Sequence, residues 1–260
     1  MSSRPAAEAP EVLIDTVPVR NVVFDEAVEQ IVAWARAGEG GFINTPNVDH
    51  IVRARRDPAF RELVMKARLR LPDGMGIVYG SRIAGTPLRG TVTGRLLPEA
   101  IVRATVPDPP TMALLGGRGD AVTQASERLT AAGGRVVAAI APAMGFELGG
   151  TEDSVAVARL VDADPRLLFV GFGSPKQERW MALHQGELPR TLMLGVGQTI
   201  DVLGGRTTAA PMWMTRVGLE WFYRVLKSPI KHGKRMLIDD PPFFWWMLKA
   251  RFRRGAGRRQ

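Results

Sequence analysis

Three segments of this chain end an apolar run in glycine. They are Leu115-Gly116-Gly117-Arg118-Gly119, Gly171-Phe172-Gly173-Ser174 and Gly195-Val196-Gly197-Gln198. Each has the form of a strand end leading into a helix. Glycine lets a backbone approach a ligand closely, and the first turn of the helix offers unpaired N–H groups to phosphate. None has the spacing of a Walker loop, and none is a dinucleotide fingerprint followed by a ribose-binding acid. Each alone is adequately explained as a tight turn. Three at one sheet edge point to a nucleotide or nucleotide-sugar pocket, with Gly116, Gly173 and Gly197 on its wall.

Polar residues sit beside these turns. In Gly173-Ser174-Pro175-Lys176-Gln177-Glu178 the Ser-Pro pair suits a helix start, with Gln177 at the capping-box position. Lys176 in the first turn opposes the helix dipole, and a bound phosphate would account for it. In Leu71-Pro72-Asp73-Gly74 the carboxylate is either a helix N-cap or a general base for an attacking hydroxyl. Spacing alone favours the cap. In Asn44-Thr45-Pro46-Asn47-Val48-Asp49-His50, Thr45 and Asn47 suit a sugar or phosphate, or equally a turn and cap, and His50 reads as structural. The triplet Asp162-Ala163-Asp164 resembles those that hold a metal–diphosphate. It precedes a strand, away from the ligand edge, and reads as a helix-ending loop. With three scattered histidines and no cysteine, no metal or other cofactor is expected.

The elements that must carry these residues follow from periodicity. Val28, Ile31, Val32 and Ala35 repeat at helical spacing, and Gly40 to Thr45 reads as a strand. Thr111 to Gly117, Arg135 to Ile140, Arg166 to Gly173 and Thr191 to Gly197 are further β-rich runs. Helical segments between them span 120–132, 153–161 and 175–184. Alternation of this kind predicts an α/β, Rossmann-like, mainly parallel sheet flanked by helices, with ligands beyond the carboxyl ends of the strands. Residues 1–10 read as disordered, 11–208 as the body and 209–260 as a helical appendage broken at Pro229 and Pro241-Pro242.

That appendage carries the charge. Residues 206–260 hold 13 Lys/Arg against 3 Asp/Glu, while the whole chain is only +9, so the body is nearly neutral. Trp213, Trp221, Trp245 and Trp246, four of the six tryptophans, lie there too. Trp213, Val217, Trp221 and Val225 form one helical stripe, and Arg224, Lys227, Lys231 and Lys234 a basic one. The run from Phe243 to Leu248, followed by Lys249 to Arg254, suits the surface of an anionic membrane. Stacking of bases on the aromatic pairs is the rival, but no nucleic-acid fold is recognisable and it leaves the glycine-rich edge unexplained, so nucleic acid is not expected. No signal peptide or spanning run is present. The expectation is a cytoplasmic protein, peripheral on the inner face of the cell membrane, whose tail is masked by self-association when no membrane is present.

The ordered set TPNVDH, LPDGMGIV, VGFGSPKQE, GVGQTIDVLGG and RTTAAPMWMTRVGLEWFYRVLKSPIKHGKRM resembles the WecG/TagA/CpsF glycosyltransferases from about Val12 to Met236. The resemblance implies a Rossmann-like body with a membrane-docking appendage. It implies inverting transfer of a hexose or N-acetylhexosamine from a UDP-sugar to a polyprenyl-diphosphate-linked sugar, without a bound metal, in teichoic-acid or exopolysaccharide assembly. By the same resemblance Asp73 is the general base, Thr45 and Asn47 line the pocket, Gln177 belongs to its GSPKQE loop, and Arg224, Lys231 and Lys234 meet diphosphate. Gly116, Gly173, Ser174, Lys176 and Gly197 complete the substrate-binding set. Many members read Arg-Val and then Gly-x-Asp-Leu where this chain reads Thr91-Val92-Thr93-Gly94-Arg95-Leu96. The arginine is replaced by Thr91 and the aspartate by Arg95, which leaves the donor sugar open. A weakened relative that binds lipid-linked glycan as an assembly partner is the alternative.

Overall fold

The computed structural model describes residues 9–143, 145–211, 213, 214, 219, 222, 223, 226 and 240–257. The chain opens with a hairpin of β1 (Glu11–Ile14) and β2 (Val17–Arg20), then α1 (Phe24–Ala37), β3 (Gly41–Asn44), α2 (Val48–Arg56), α3 (Pro58–Met65), β4 (Leu69–Arg70) and α4 (Met75–Ile83). A 3₁₀ turn at Gly94–Leu96 leads into α5 (Leu97–Thr105), β5 (Thr111–Gly116), α6 (Ala121–Ala131), β6 (Arg135–Ile140) and α7 (Thr151–Ala163). Then come β7 (Leu167–Gly171), α8 (Lys176–His184), β8 (Leu192–Gly195), α9 (Thr199–Leu203) and the helix Pro241–Gly257, here α10.

Six strands form one parallel sheet in the order β4-β3-β8-β7-β5-β6. The expected architecture is therefore present. The strands could be read as unbroken apolar runs because both sheet faces are covered. Along β7, Leu167 and Phe169 face a core built with α1, α5, α6 and α9, while Leu168 and Val170 face one built with α7 and α8. The N-terminal disorder expected for 1–10 does not reach Ala9 and Pro10. Ala9 is buried and its carbonyl accepts from Arg20, and the Pro10 carbonyl accepts from Asn21 N–H at 2.9 Å.

A third core lies under the β1–β2 hairpin, among α2, α3, α4 and α10. Phe243 and Met247 of α10 are fully buried there, and Trp246 and Ala250 pack partly against it. This modifies the reading of Phe243–Leu248 as a membrane-bound run. Winding it into a helix sends positions i, i+4 and i+7 inward and leaves Phe244, Trp245 and Phe252 on the outside. The close approach depends on Gly80 of α4, where a Cβ would overlap the Phe243 ring. Glycine to alanine inside a helix ordinarily gains about 0.5–1 kcal/mol. Gly80→Ala is expected to reverse that sign, losing about 1–3 kcal/mol by overpacking, as read from urea unfolding. A stabilised variant would show that α10 is not seated on α4.

Candidate active site

The four strands β4, β3, β8 and β7 are consecutive in the sheet, so their carboxyl ends lie within about 15 Å of one another. The turns that follow them carry Asp73, Thr45 and Asn47, Gly197, and Gly173 to Gln177. The first two turns are joined beyond the strands. Leu71 N–H donates to the Asn44 carbonyl at 2.9 Å and Asp73 N–H to the Pro46 carbonyl at 2.9 Å. Thr45 packs beneath the 3₁₀ turn, where a Cβ on Gly94 would stand 2.9 Å from its Oγ1. Asp73, Thr45 and Asn47 thus share one partly exposed patch. The N-cap of α4 is Gly74 and not Asp73, so the cap reading that spacing favoured gives way.

Asn47 does act as a cap: its Oδ1 accepts from His50 N–H at 3.2 Å at the start of α2. That leaves its amide nitrogen as the donor able to face a ligand. His50 Nδ1 lies 2.9 Å from the same oxygen, and its Nε2 lies 3.2 Å from Glu178 Oε1. Glu178 is fully buried, and Oε1 also accepts from Gln177 Nε2 at 3.0 Å. The Gln177 Oε1 accepts in turn from Gly197 N–H at 3.0 Å. The turns after β3, β7 and β8 are therefore linked through one carboxylate oxygen. Burial pushes the Glu178 carboxyl upward, but the hydrogen bond and charge of His50, with the backbone and Gln177 amide, outweigh it and hold it below its usual range. The capping-box expectation for Gln177 gives way, because α8 has Pro175 as its N-cap and no side-chain cap. Its amide braces the Gly197 turn.

The start of α8 differs from expectation in two further ways. The N-cap is Pro175, after a cis Ser174–Pro175 bond, and Ser174 makes no cap. Lys176 turns toward the 141–150 loop, donating to the Phe146 carbonyl at 2.5 Å with Nζ 3.5 Å from the Phe146 ring centroid. Desolvation lowers its affinity for a proton, against the opposing charge of Asp153. Its place against the dipole is thus compensated within the protein, and no phosphate is required to explain it. Asp153 itself is fully buried, accepting from Gly149 N–H at 2.6 Å and Trp180 Nε1 at 2.6 Å, with His184 Nε2 at 3.0 Å. A cleft of about 480 Å³ lined by Ser154, Val157, Asp162, His184 and Glu187 lies between α7 and α8, apart from the sheet edge. Asp164 caps α7 and pairs with Arg190 at 2.6 Å, at the opposite edge of the sheet, as the helix-ending reading expects.

Gly116 ends β5, beside Gly171 of β7, and Gly173 and Gly197 have open space where a Cβ would stand. Asn44 Nδ2 and Oδ1, Ser174 Oγ and Glu178 Oε2 are buried without a protein hydrogen-bond partner. All four atoms belong to residues at the carboxyl ends of β3 and β7 or the start of α8. Buried polar groups are rarely left so, and a hydroxyl-bearing ligand or ordered water would satisfy them. The chain matches the sequence family described as the glycosyl transferase WecG/TagA/CpsF family over residues 12–257. It belongs to that family. Among WecG/TagA/CpsF relatives, the N-acetylglucosaminyldiphosphoundecaprenol N-acetyl-β-D-mannosaminyltransferase of Bacillus subtilis (strain 168) is 28% identical over 211 residues, covering 81% of this chain and 80% of its own. The enzyme of the same name from Staphylococcus aureus (strain MW2) is 29% identical over 210 residues, with the same coverage. The protein is a glycosyltransferase.

Arg224, Lys231 and Lys234 lie outside the described residues, as do Val217, Trp221, Val225, Lys227 and Pro229. Among the described residues no helix is long and apolar enough to cross a membrane. Sequence reading treated His50 as merely structural and missed its partner Glu178, 128 residues away. It also missed Asp201, fixed to Arg118 by two hydrogen bonds at 2.9 and 3.2 Å. The only local signal for Asp201 was an acid near a strand-ending glycine.

Proposed function

We propose that this glycosyltransferase moves a hexose or N-acetylhexosamine from a UDP-sugar to a polyprenyl-diphosphate-linked sugar, with inversion, at the inner face of the cell membrane. The observation that carries the reading is the hydrogen bonding of the Asp73 turn to the turn of Thr45 and Asn47 at the carboxyl edge of the sheet, with all three residues partly exposed. The names of the relatives, which specify a diphosphoundecaprenol-linked acceptor, support it. Asp73 takes the proton of the acceptor hydroxyl as its oxygen attacks the anomeric carbon. The bond from that carbon to the phosphate oxygen breaks, and UDP leaves with the electron pair. Thr45 and the Asn47 amide hydrogen-bond the sugar or phosphate. Arg224, Lys231 and Lys234 balance the developing diphosphate charge. No metal enters the proposal.

The exposed face of α10 would hold the protein at its acceptor. Trp245, Phe252, Lys249, Arg251 and Arg253 are all exposed, the mixture that suits headgroup depth and lipid phosphate. The test is transfer from a panel of radiolabelled UDP-hexoses to a polyprenyl-diphosphate-sugar acceptor in anionic vesicles. Turnover with one donor is expected, reduced in the Trp245→Glu, Phe252→Glu double variant on vesicles but not with a short-chain soluble acceptor. No transfer from any donor by folded, vesicle-bound protein would move the assignment to a glycan-binding assembly partner.

A further inference from the structure

Asp73 stands in a turn outside any helix or strand, so where its Cα carries the carboxylate depends on what fixes the two flanking peptide groups. On the N-terminal side, the Pro72 carbonyl accepts from Val92 N–H at 2.6 Å and from Thr91 Oγ1 at 3.1 Å, while Asp73 N–H donates to Pro46. On the C-terminal side, Gly74 N–H donates to Thr91 Oγ1 at 2.8 Å. One hydroxyl therefore spans Asp73, accepting from the residue after it and donating to the residue before. Gly74 needs that restraint: its φ of 79° and ψ of 151° lie where other residues are strained, and glycine is the residue freest to leave.

Resting on the reading of Asp73 as base, we infer that Thr91 is a positioning residue of the reaction. Its hydroxyl locks both peptide planes of Asp73 and so sets the carboxylate's approach to the acceptor hydroxyl. An ordinary loop clamp would use the same bonds, so the two differ in what their removal does. Without the hydroxyl, Gly74 N–H loses its partner and the Asp73–Gly74 peptide is free to rotate. Binding surfaces on Thr45 and Asn47, held by their own strand and helix, stay in place.

The experiment compares Thr91→Val and Thr91→Ser, with Thr91→Ala as the second hydroxyl-free variant, in wild type and in Asp73→Asn. Thr91→Val is expected to lower kcat about 10- to 100-fold, the range for small misplacement of a catalytic group, with KM for the UDP-sugar within about twofold. Thr91→Ser is expected to restore most of the rate. In the Asp73→Asn background, Thr91→Val is expected to add no further loss, because nothing remains to be positioned. Multiplying losses, or a serine variant as slow as valine, would show a loop clamp only. If Thr91→Val does not fold, Thr91→Ala is read in its place. Full turnover in Asp73→Asn sinks the base assignment and this inference with it. Loss in Asp73→Asn beside full turnover in the folded hydroxyl-free variant sinks this inference alone.

Discussion

Asp73→Asn is expected to keep the fold and lose transfer by about 10²–10⁴-fold, the contribution of a positioned general base. Asparagine has the shape of aspartate but does not take up the acceptor's proton. The turn around it is held by main-chain groups and by Thr91, none of which changes. Residue 73 is partly exposed and does not cap α4, so the substitution removes no helix cap. The loss should therefore fall on kcat and leave KM for the donor within a small factor. Single-turnover transfer of labelled sugar, with melting as the control for folding, makes the measurement. A rate within about threefold of wild type is well below the expected range for a base. It would leave Asp73 an ordinary turn residue, with neither the base role nor the cap that its spacing suggested.

Much of the scaffold was legible because its physics is local. β5, β7 and β8 are buried on both faces and read as unbroken apolar runs, and α1 shows its buried stripe at Val28, Ile31, Val32 and Ala35. β4 has two residues, too few for any period, yet it is the strand that delivers Asp73. The α10 run was legible as apolar but not as two-sided. Aromatic residues occupy both its buried and its exposed faces, so composition hides a partition that helical geometry makes plain at Phe243, Met247 and Ala250. At the site, Asp73, Thr45 and Asn47 were legible as polar residues at strand ends, with their roles implied only by the family resemblance, whereas their supports were not legible. Lys176 was weighed against its own helix dipole, but its partner is the Phe146 carbonyl thirty residues back. Thr91, seventeen residues from the N–H it accepts, stood out in the sequence only as a departure from the family pattern, and its contact with the Asp73 turn shows only when the chain folds.

Glu178 is the support whose loss should cost most. Its Oε1 meets His50 Nε2 and Gln177 Nε2, and the carboxyl is buried away from bulk solvent. Glu178→Ala is expected to destabilise by about 3–5 kcal/mol, since it leaves a buried partner uncompensated and opens a cavity. Glu178→Gln preserves volume and one acceptor and should lose about 1–3 kcal/mol. The pH dependence separates electrostatics from packing. His50 and the hydrogen bonds hold the folded carboxyl below its ordinary value, so the unfolded chain takes up the proton first as pH falls. The stabilisation is thus complete above the unfolded value and lost as pH drops through the folded one. The gap between wild type and Glu178→Gln in urea unfolding should stay constant from neutral pH to about 5 and close below the unfolded value. A gap that persists unchanged in acid would mean that Glu178 acts by shape alone. Because Gly197 hangs from Gln177, and Gln177 from Glu178, the same variants should weaken donor binding before they unfold the chain. A variant with lost stability but unaltered KM would place the network outside the site and confine Glu178 to the core.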